Sequence, residues 1–298
     1  MSNISAVLPL NIEEAHKSNS CELVDILITS LKKFAAPGLF ETFYVVCPPN
    51  QVAPISQHMQ QHPELPITVV NERDVVPGLK DYVKSGGWRI QQIIKLQAAH
   101  FVKTPYYITF DADVVCTHPV SEDTLLPKGK ALMQMEPRAN HKNWWLSSAY
   151  QLGVKPHLKK DGMFVTPAIL ASEPVKGLIT ELSTKKDWME KLLGPHMPGS
   201  IQQKLPRFKK KHRWTEYTLY HLYLEKHGLL EQYHVDVSQN PDLPKIVSDT
   251  CVWKRENFDN WDAEHCFSDR DNSLFVVIQS NKQIAPAVVR ERLALFID

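Results

Sequence analysis

Asp111 and Asp113 stand two residues apart at the end of the apolar run Tyr106–Val115, "YYITFDADVV". An unpaired carboxylate at the end of a buried strand is costly to desolvate, so two of them there point to a ligand that needs them. Oxygens at i and i+2 around a strand end can converge on one hard cation, directly or through water. Mn²⁺ or Mg²⁺ suits such ligands and keeps positions open for phosphate oxygens. The spacing alone is a weak signal, since "DRD" at Asp269–Asp271 repeats it among polar residues, where a solvated loop is the plain reading. The plain reading of the first pair is that Asp111 caps the next turn and Asp113 forms a salt bridge.

The elements that must position this pair alternate along the first half of the chain. Ile4–Leu10 reads as a short buried strand broken by Pro9, and Cys21–Phe34 as a helix on the spacing of Leu23, Ile26, Leu27 and Leu31. Glu41–Pro49 is a strand stopped by Pro48 and Pro49, and Pro66–Asp74 a third strand. Gly86–Val102 follows as a helix with Ile90, Ile93, Ile94, Leu96 and Ala98 on its apolar side. Strands separated by helices imply parallel pairing in an α/β sheet. Ligands of such sheets sit beyond the carboxyl ends of the strands, where Asp111 and Asp113 fall.

The second half is less regular. Lys130–Glu136 reads as a strand, Asn143–Gly153 as a short helix and Asp161–Leu170 as an apolar segment entered through Gly162. Trp214–Gly228 is a helix capped by Thr215 and stopped by Gly228, and Ser273–Ser280 is a late strand. Neither an internal repeat nor a low-complexity linker interrupts the chain, which favours one continuous domain over residues 1–298.

Bulk properties narrow the function. Hydrophobic residues make up 43% and charged residues 22% of 298, an ordinary soluble composition, and a net charge of +1 gives no global field for nucleic acid. Five scattered cysteines, Cys21, Cys47, Cys116, Cys251 and Cys266, without a Cys-x-x-Cys pair, suggest reduced buried thiols rather than a disulfide framework or a zinc site. With neither a signal-like N-terminus nor an apolar stretch long enough to span a bilayer, the expectation is a soluble cytoplasmic protein.

Two enzyme classes place Asp-x-Asp after a strand. Haloacid-dehalogenase-like phosphatases use the first Asp as a nucleophile on phosphate, and "DADVV" fits their pattern. Their motif strand lies near the N-terminus, however, and a later strand supplies an acidic pair, whereas here the motif follows three strands and "SDRD" follows a poor one. The run "GGWRIQQIIKLQAAHFVKTPYYITFDADVVCTHPV" resembles instead a family of glycosyltransferase-like proteins. That family pairs a Trp-x-x-Gln-Gln-x-x-Lys-Leu helix with the Asp-x-Asp strand, and "MFVTPAIL" and "WTEYTLY" are similar to its later motifs. The resemblance extends from about Gly86 to Tyr220. It implies a GT-A fold, Rossmann-like, with a mixed, mainly parallel central sheet. Residues 1–120 would form the half that binds a UDP- or GDP-sugar and 121–298 the half that binds a glycan or glycolipid acceptor.

The resemblance also implies roles. Asp113 would ligate the metal and Asp111 would bind it through water or hold the donor ribose or sugar, with His265 or His234 as a third ligand. Leu8, Pro9 and Asn11 would meet the nucleotide base at the end of the first strand, and Glu72 or Asp74 the base or ribose at the end of the third. Arg89, Gln92 and Lys95 lie three apart and share a helix face, so they become donor-site candidates, while Trp88 reads as packing. Glu216, in a helix-start motif, is the leading candidate for the base of an inverting transfer, with Asp161 second. The basic run Arg207–Arg213 would close over the diphosphate or meet an anionic acceptor or lipid headgroups, unless it is a solvated loop. Trp144 and Trp145 are candidates for stacking on a sugar ring. A sugar-nucleotide-binding protein without catalysis is the remaining alternative.

Overall fold

The computed structural model describes residues 2–12, 20–163, 166–201, 212–279 and 284–298. Its strands are β1 (Ile4–Pro9), β2 (Phe43–Cys47), β3 (Ile67–Asn71), β4 (Tyr106–Thr109), β5 (Val114–Cys116) and β6 (Ala131–Met133). They continue with β7 (Met135–Pro137), β8 (Asp161–Met163), β9 (Ala168–Ala171), β10 (His234–Asp236), β11 (Lys245–Val247) and β12 (Ser273–Val277). The helices used below are α1 (Ser20–Phe34), α2 (Val52–Met59), α3 (Glu72–Val75) and α4 (Gly87–Gln97), then α5 (Lys142–Leu152), α6 (Ser172–Leu182), α7 (Glu216–His227) and α8 (Pro286–Ile297).

The central sheet runs β3-β2-β1-β4-β9, parallel throughout except for β9, which returns antiparallel to β4. This is the mixed, mainly parallel α/β sheet that the strand–helix alternation implies. β1, β2 and β4 are buried along their whole length, as strands covered on both faces must be, and their near-continuous apolar sequence reflects it. β3, at the edge, is only half-buried. Val7 lies opposite Tyr44 on one side and Thr109 on the other. That register brings the chain after Pro9, Cys47, Asn71 and Thr109 out at one edge of the sheet.

Three segments that read as single strands are divided, each for a visible reason. "YYITFDADVV" leaves the central sheet after Thr109 and enters a second sheet as β5, antiparallel to β12, which pairs in turn with β11. The corner is Phe110–Asp113: the Val114 N–H donates to the Asp111 carbonyl at 3.3 Å, and the Ile278 N–H to that of Asp113 at 3.0 Å. Lys130–Glu136 divides at Gln134 because β6 pairs with β10 while β7 pairs with β8. Gln134 fills the gap by exchanging two hydrogen bonds with the backbone of Val247. The third strand stops at Asn71, whose side chain accepts the Arg73 N–H at 2.9 Å and caps α3, so Glu72 and Asp74 lie on a helical turn.

α7 begins and ends where its sequence says. Thr215 and Thr218 form a reciprocal capping box, and Gly228 takes the left-handed conformation, φ 67°, that closes the helix. Trp145 of α5 is fully buried, lies 4.6 Å from the buried Arg138 guanidinium and packs on Gly162, so it is core rather than a sugar platform. A Cβ at Gly162 would stand 2.2 Å from that indole ring. Gly162→Ala is therefore expected to cost about 1–3 kcal/mol through overpacking. Thermal denaturation should show it as a drop of roughly 2–4 °C for each kcal/mol. An unchanged melting temperature would mean that the β7–β8 pair gives way freely.

Candidate active site

The loops leaving β1, β2 and β3 enclose, with the first turns of α4, a cleft of about 390 Å³. Pro9, Asn11, Gln51, Glu72, Gly87 and Gln91 are among its walls. Gln51, nearly inaccessible, fixes two of these loops together: its Oε1 accepts the Ile12 N–H and its Nε2 donates to Asn11 Oδ1, both at 2.9 Å. Burial raises the Glu72 carboxyl above its ordinary range. Of the residues expected to meet a nucleotide, Pro9, Asn11 and Glu72 line this cleft. Leu8 is buried inside β1, and Asp74 is exposed on α3 outside the lining. Gln51 and Gln91 carry no motif of their own, and only the loop-to-loop bonds and the helix orientation bring them forward.

α4 has two working faces. Ile90, Gln91 and Ile94 look into the cleft, whereas Gln92 and Lys95 turn towards α7. Gln92 Oε1 accepts the Glu216 N–H at 3.3 Å, at the first residue of α7. Lys95 Nζ donates to Asp111 Oδ1 at 2.9 Å and to Thr166 Oγ1 at 3.1 Å, and stands 3.5 Å from Glu216 Oε1. Both Lys95 and Glu216 side chains are 1% exposed, while Asp111 is 39% exposed. Trp88 on the first turn of α4 is half-exposed.

The protonation of this triad follows from its geometry. Burial alone would neutralise Lys95, but Asp111 and Glu216 together hold its pKa above the ordinary lysine value. Burial pushes Glu216 up, and Asp111 adds to the rise, while Lys95 pulls it down without reversing it. A charged Lys95 favours a charged Glu216, so burial and the lysine charge oppose each other at this carboxyl. Distance decides between them: at 2.9 Å Asp111 takes the ion pair, and at 3.5 Å Glu216 is the carboxyl drawn towards its neutral form. Both Glu216 oxygens lack a hydrogen-bond partner, which agrees.

A basic cluster lies at the start of α4. Arg89 donates to the Ser85 carbonyl at 2.8 Å, and burial together with the charge of Arg213 lowers its pKa. His196 is held down to about 4 by burial and by Arg89. Arg213 ends the basic run Arg207–Arg213, of which residues 207–211 lie outside the described residues.

The remaining candidates are dispersed. Asp161 is exposed, and its carbonyl, not its carboxylate, accepts Arg138 Nε at 2.9 Å. His234 is buried on β10 against the Tyr220 hydroxyl at 2.7 Å and is held down to about 4. His265 lines a different cleft of about 420 Å³, with Thr250, Arg270 and Asp271. Among the described residues it does not join Asp111 and Asp113 in a set of three ligand atoms within 4.8 Å of one another. Glu136, which no motif singles out, is the carboxylate that emerges instead. It ends up on β7 beside His141 and Asn140, with its pKa raised by burial. Burial raises the Tyr217 hydroxyl well above its ordinary value, and the charges of Glu216, Glu136 and Asp111 add to the rise. Trp144 stacks on His141 at 4.1 Å and meets Tyr217 edge-on at 6.2 Å on the same side.

Fold and site thus define an α/β protein with a polar cleft and an acidic corner at the carboxyl edge of a mainly parallel sheet. The chain belongs to the Family of unknown function (DUF6492), whose model matches residues 1–298. A comparison with curated proteins finds no match. Among solved structures, the chain is similar to mouse xyloside xylosyltransferase 1 in its apo form, with a TM-score of 0.49 and 10% identity over 94% of this chain and 99% of that one. It is similar as well to galactosyltransferase LgtC in complex with donor and acceptor sugar analogs, with a TM-score of 0.49 and 12% identity over 98% of this chain and 95% of that one.

The raised pKa of Glu216 makes a prediction with a definite sign. The folded chain binds that proton more tightly than the unfolded chain, so this stability is fully present below the ordinary carboxylate pKa and is lost as pH rises through the folded value. Glu216→Gln removes the titration at nearly constant shape. Its melting temperature is expected to gain on the parent as pH is raised from about 4 towards neutrality. A progressive loss over the same rise would show that attraction to Lys95 outweighs burial.

Proposed function

We propose that this protein is a metal-dependent GT-A glycosyltransferase that moves a sugar from a UDP- or GDP-linked donor to a hydroxyl of a glycan or glycolipid. The observation that carries the reading is the Asp111–Asp113 corner, braced from behind by a buried lysine and level with the nucleotide-sized cleft one strand away. Pockets for small ligands typically fall between about 300 and 1,000 Å³, and this one lies in that range.

The donor set fits a hard divalent cation. Asp111 commits Oδ1 to Lys95 and keeps Oδ2 for a ligand, and Asp113 supplies a second carboxylate two residues on. Mn²⁺ or Mg²⁺ held there supplies charge neutralisation to a departing nucleoside diphosphate. The chain's own residues do the rest. Burial, and after it the charge of Arg213, disfavours the Arg89 charge, and an anionic diphosphate beside Arg89 would offset that. Asn11 and Glu72 present an amide and a carboxyl to a base and ribose in the cleft.

Glu216 acts as a positioning residue in this reading. It is shielded from solvent and reaches the site through Lys95, whereas a base must touch the acceptor hydroxyl. Glu136, beside His141, is the carboxylate assigned that proton in an inverting transfer, with Trp144 stacked on His141 shaping the acceptor side. Its burial-raised pKa brings it closer to working pH, as a general base requires.

Thermal shift with UDP, GDP and their sugars, each with and without Mn²⁺, tests the donor half, since a ligand of the native state raises the melting temperature. Stabilisation should require Mn²⁺ and disappear in Asp113→Ala; its absence for every nucleotide would overturn the proposal. In a transfer assay Glu136→Gln should lower kcat about 10²–10⁴-fold with donor stabilisation intact. Glu216→Gln should instead weaken binding of the Mn²⁺-nucleotide. Phosphate release from a phosphomonoester, lost in Asp111→Asn, would replace this reading with the phosphatase.

A further inference from the structure

We propose that Asp25, His58 and His62 form a zinc site, separate from the Asp111–Asp113 corner, that fastens α1 to the C-terminal end of α2. Asp25 lies on α1, and His58 on the last turn of α2. His62 follows one turn later, held there by its N–H donating to the Met59 carbonyl at 3.0 Å. The four-residue spacing puts both imidazoles on one side of that turn. They aim the same ring nitrogen at the same oxygen: His58 Nε2 is 2.8 Å and His62 Nε2 2.9 Å from Asp25 Oδ1. All three ligand atoms lie within 4.8 Å of one another.

Two readings compete for this cluster. As a plain hydrogen-bond cluster it needs a proton on each Nε2, and both must be donated to one carboxylate oxygen. As a metal site it needs each imidazole to offer an unprotonated Nε2 to the ion. Zn–N and Zn–O bonds of about 2.0–2.2 Å put tetrahedral ligand atoms about 3.4 Å apart, so small side-chain rotations open the cluster around an ion. Two imidazoles and one carboxylate are a zinc donor set, too rich in nitrogen for Mg²⁺ or Ca²⁺. The side chains of His58 and Asp25 are 29% and 32% exposed, so water can reach a fourth position, while His62, at 10%, anchors the ion from the core side. The Gln61 carboxamide nitrogen flanks the His58 ring, 3.0 Å from Nε2 and 3.3 Å from Nδ1, and turns aside when Nε2 takes the ion.

The inference stands apart from the proposed transferase activity, and its test keeps the two separate. The full-length chain carrying Asp113→Ala, which disables the acidic corner, is stripped with chelator and dialysed against Zn²⁺. We expect one Zn²⁺ per chain and a higher melting temperature with the metal bound. Adding His58→Gln or Asp25→Asn should weaken binding more than 100-fold, beyond the 10–100-fold loss typical of removing an outer partner alone. Far-ultraviolet circular dichroism of the zinc-free variants confirms that they are folded, and the partly exposed Asp25 and His58 make both changes tolerable. No zinc taken up by the Asp113→Ala chain, or uptake unchanged by both added substitutions, would overturn the site.

Discussion

The site is organised around one buried cation. Lys95 sits almost wholly out of water, where an unpaired ammonium costs several kcal/mol after relaxation. Its compensation comes from three directions: Asp111 at the strand end, Thr166 before β9 and Glu216 at the start of α7. Each belongs to a different element, so the lysine can remain charged only while α4, β4, the β9 entry and α7 keep their places. The dependence also runs the other way. Asp111 is held at the edge of solvent with one oxygen already engaged, which fixes the direction of the other.

A second buried cation plays the matching part in the other half of the molecule. Arg138 donates to the carbonyls of Pro156 and Asp161, to Glu225 and to His221, tying the β7–β8 pair to α7. Its charge, added to burial, holds His221 down to about 3 and therefore neutral, so that the ring nitrogen can accept. α7 thus carries a carboxyl that faces Lys95 at its first turn and a histidine that faces Arg138 further along. One helix relates the strand-end corner to the strand pair that bears Glu136.

The corner at Phe110–Asp113 explains why the aspartates are presented rather than buried. A strand that ran on would keep its next residues within the central sheet. Here the chain instead changes sheets, with backbone bonds from Val114 and Ile278 holding the turn. Carboxylates at such a junction have fixed backbone on both sides and solvent in front, which suits a ligand site built on rigid elements.

The sequence by itself determined the alternation of buried runs and helices, the capped α7 and the position of Asp111–Asp113 beyond a parallel strand. Those features rest on local chemistry: apolar runs, helical spacing, a threonine cap, a terminating glycine. Only the tertiary structure decided which side chains meet. Gln92 and Lys95 share a helix face with Arg89 in sequence terms, but burial sends the first two into the Asp111–Glu216 cluster and leaves Arg89 beside Arg213. Glu216 and Glu136 show the same limit, since the motif that names the first says nothing of its enclosure, and no motif names the second. Strand division at Gln134, the bonding of Gln51 between two loops and the convergence of His58 and His62 on Asp25 all depend on pairings across the chain. Periodicity reports what one segment buries, and long-range packing alone sets what it is buried against.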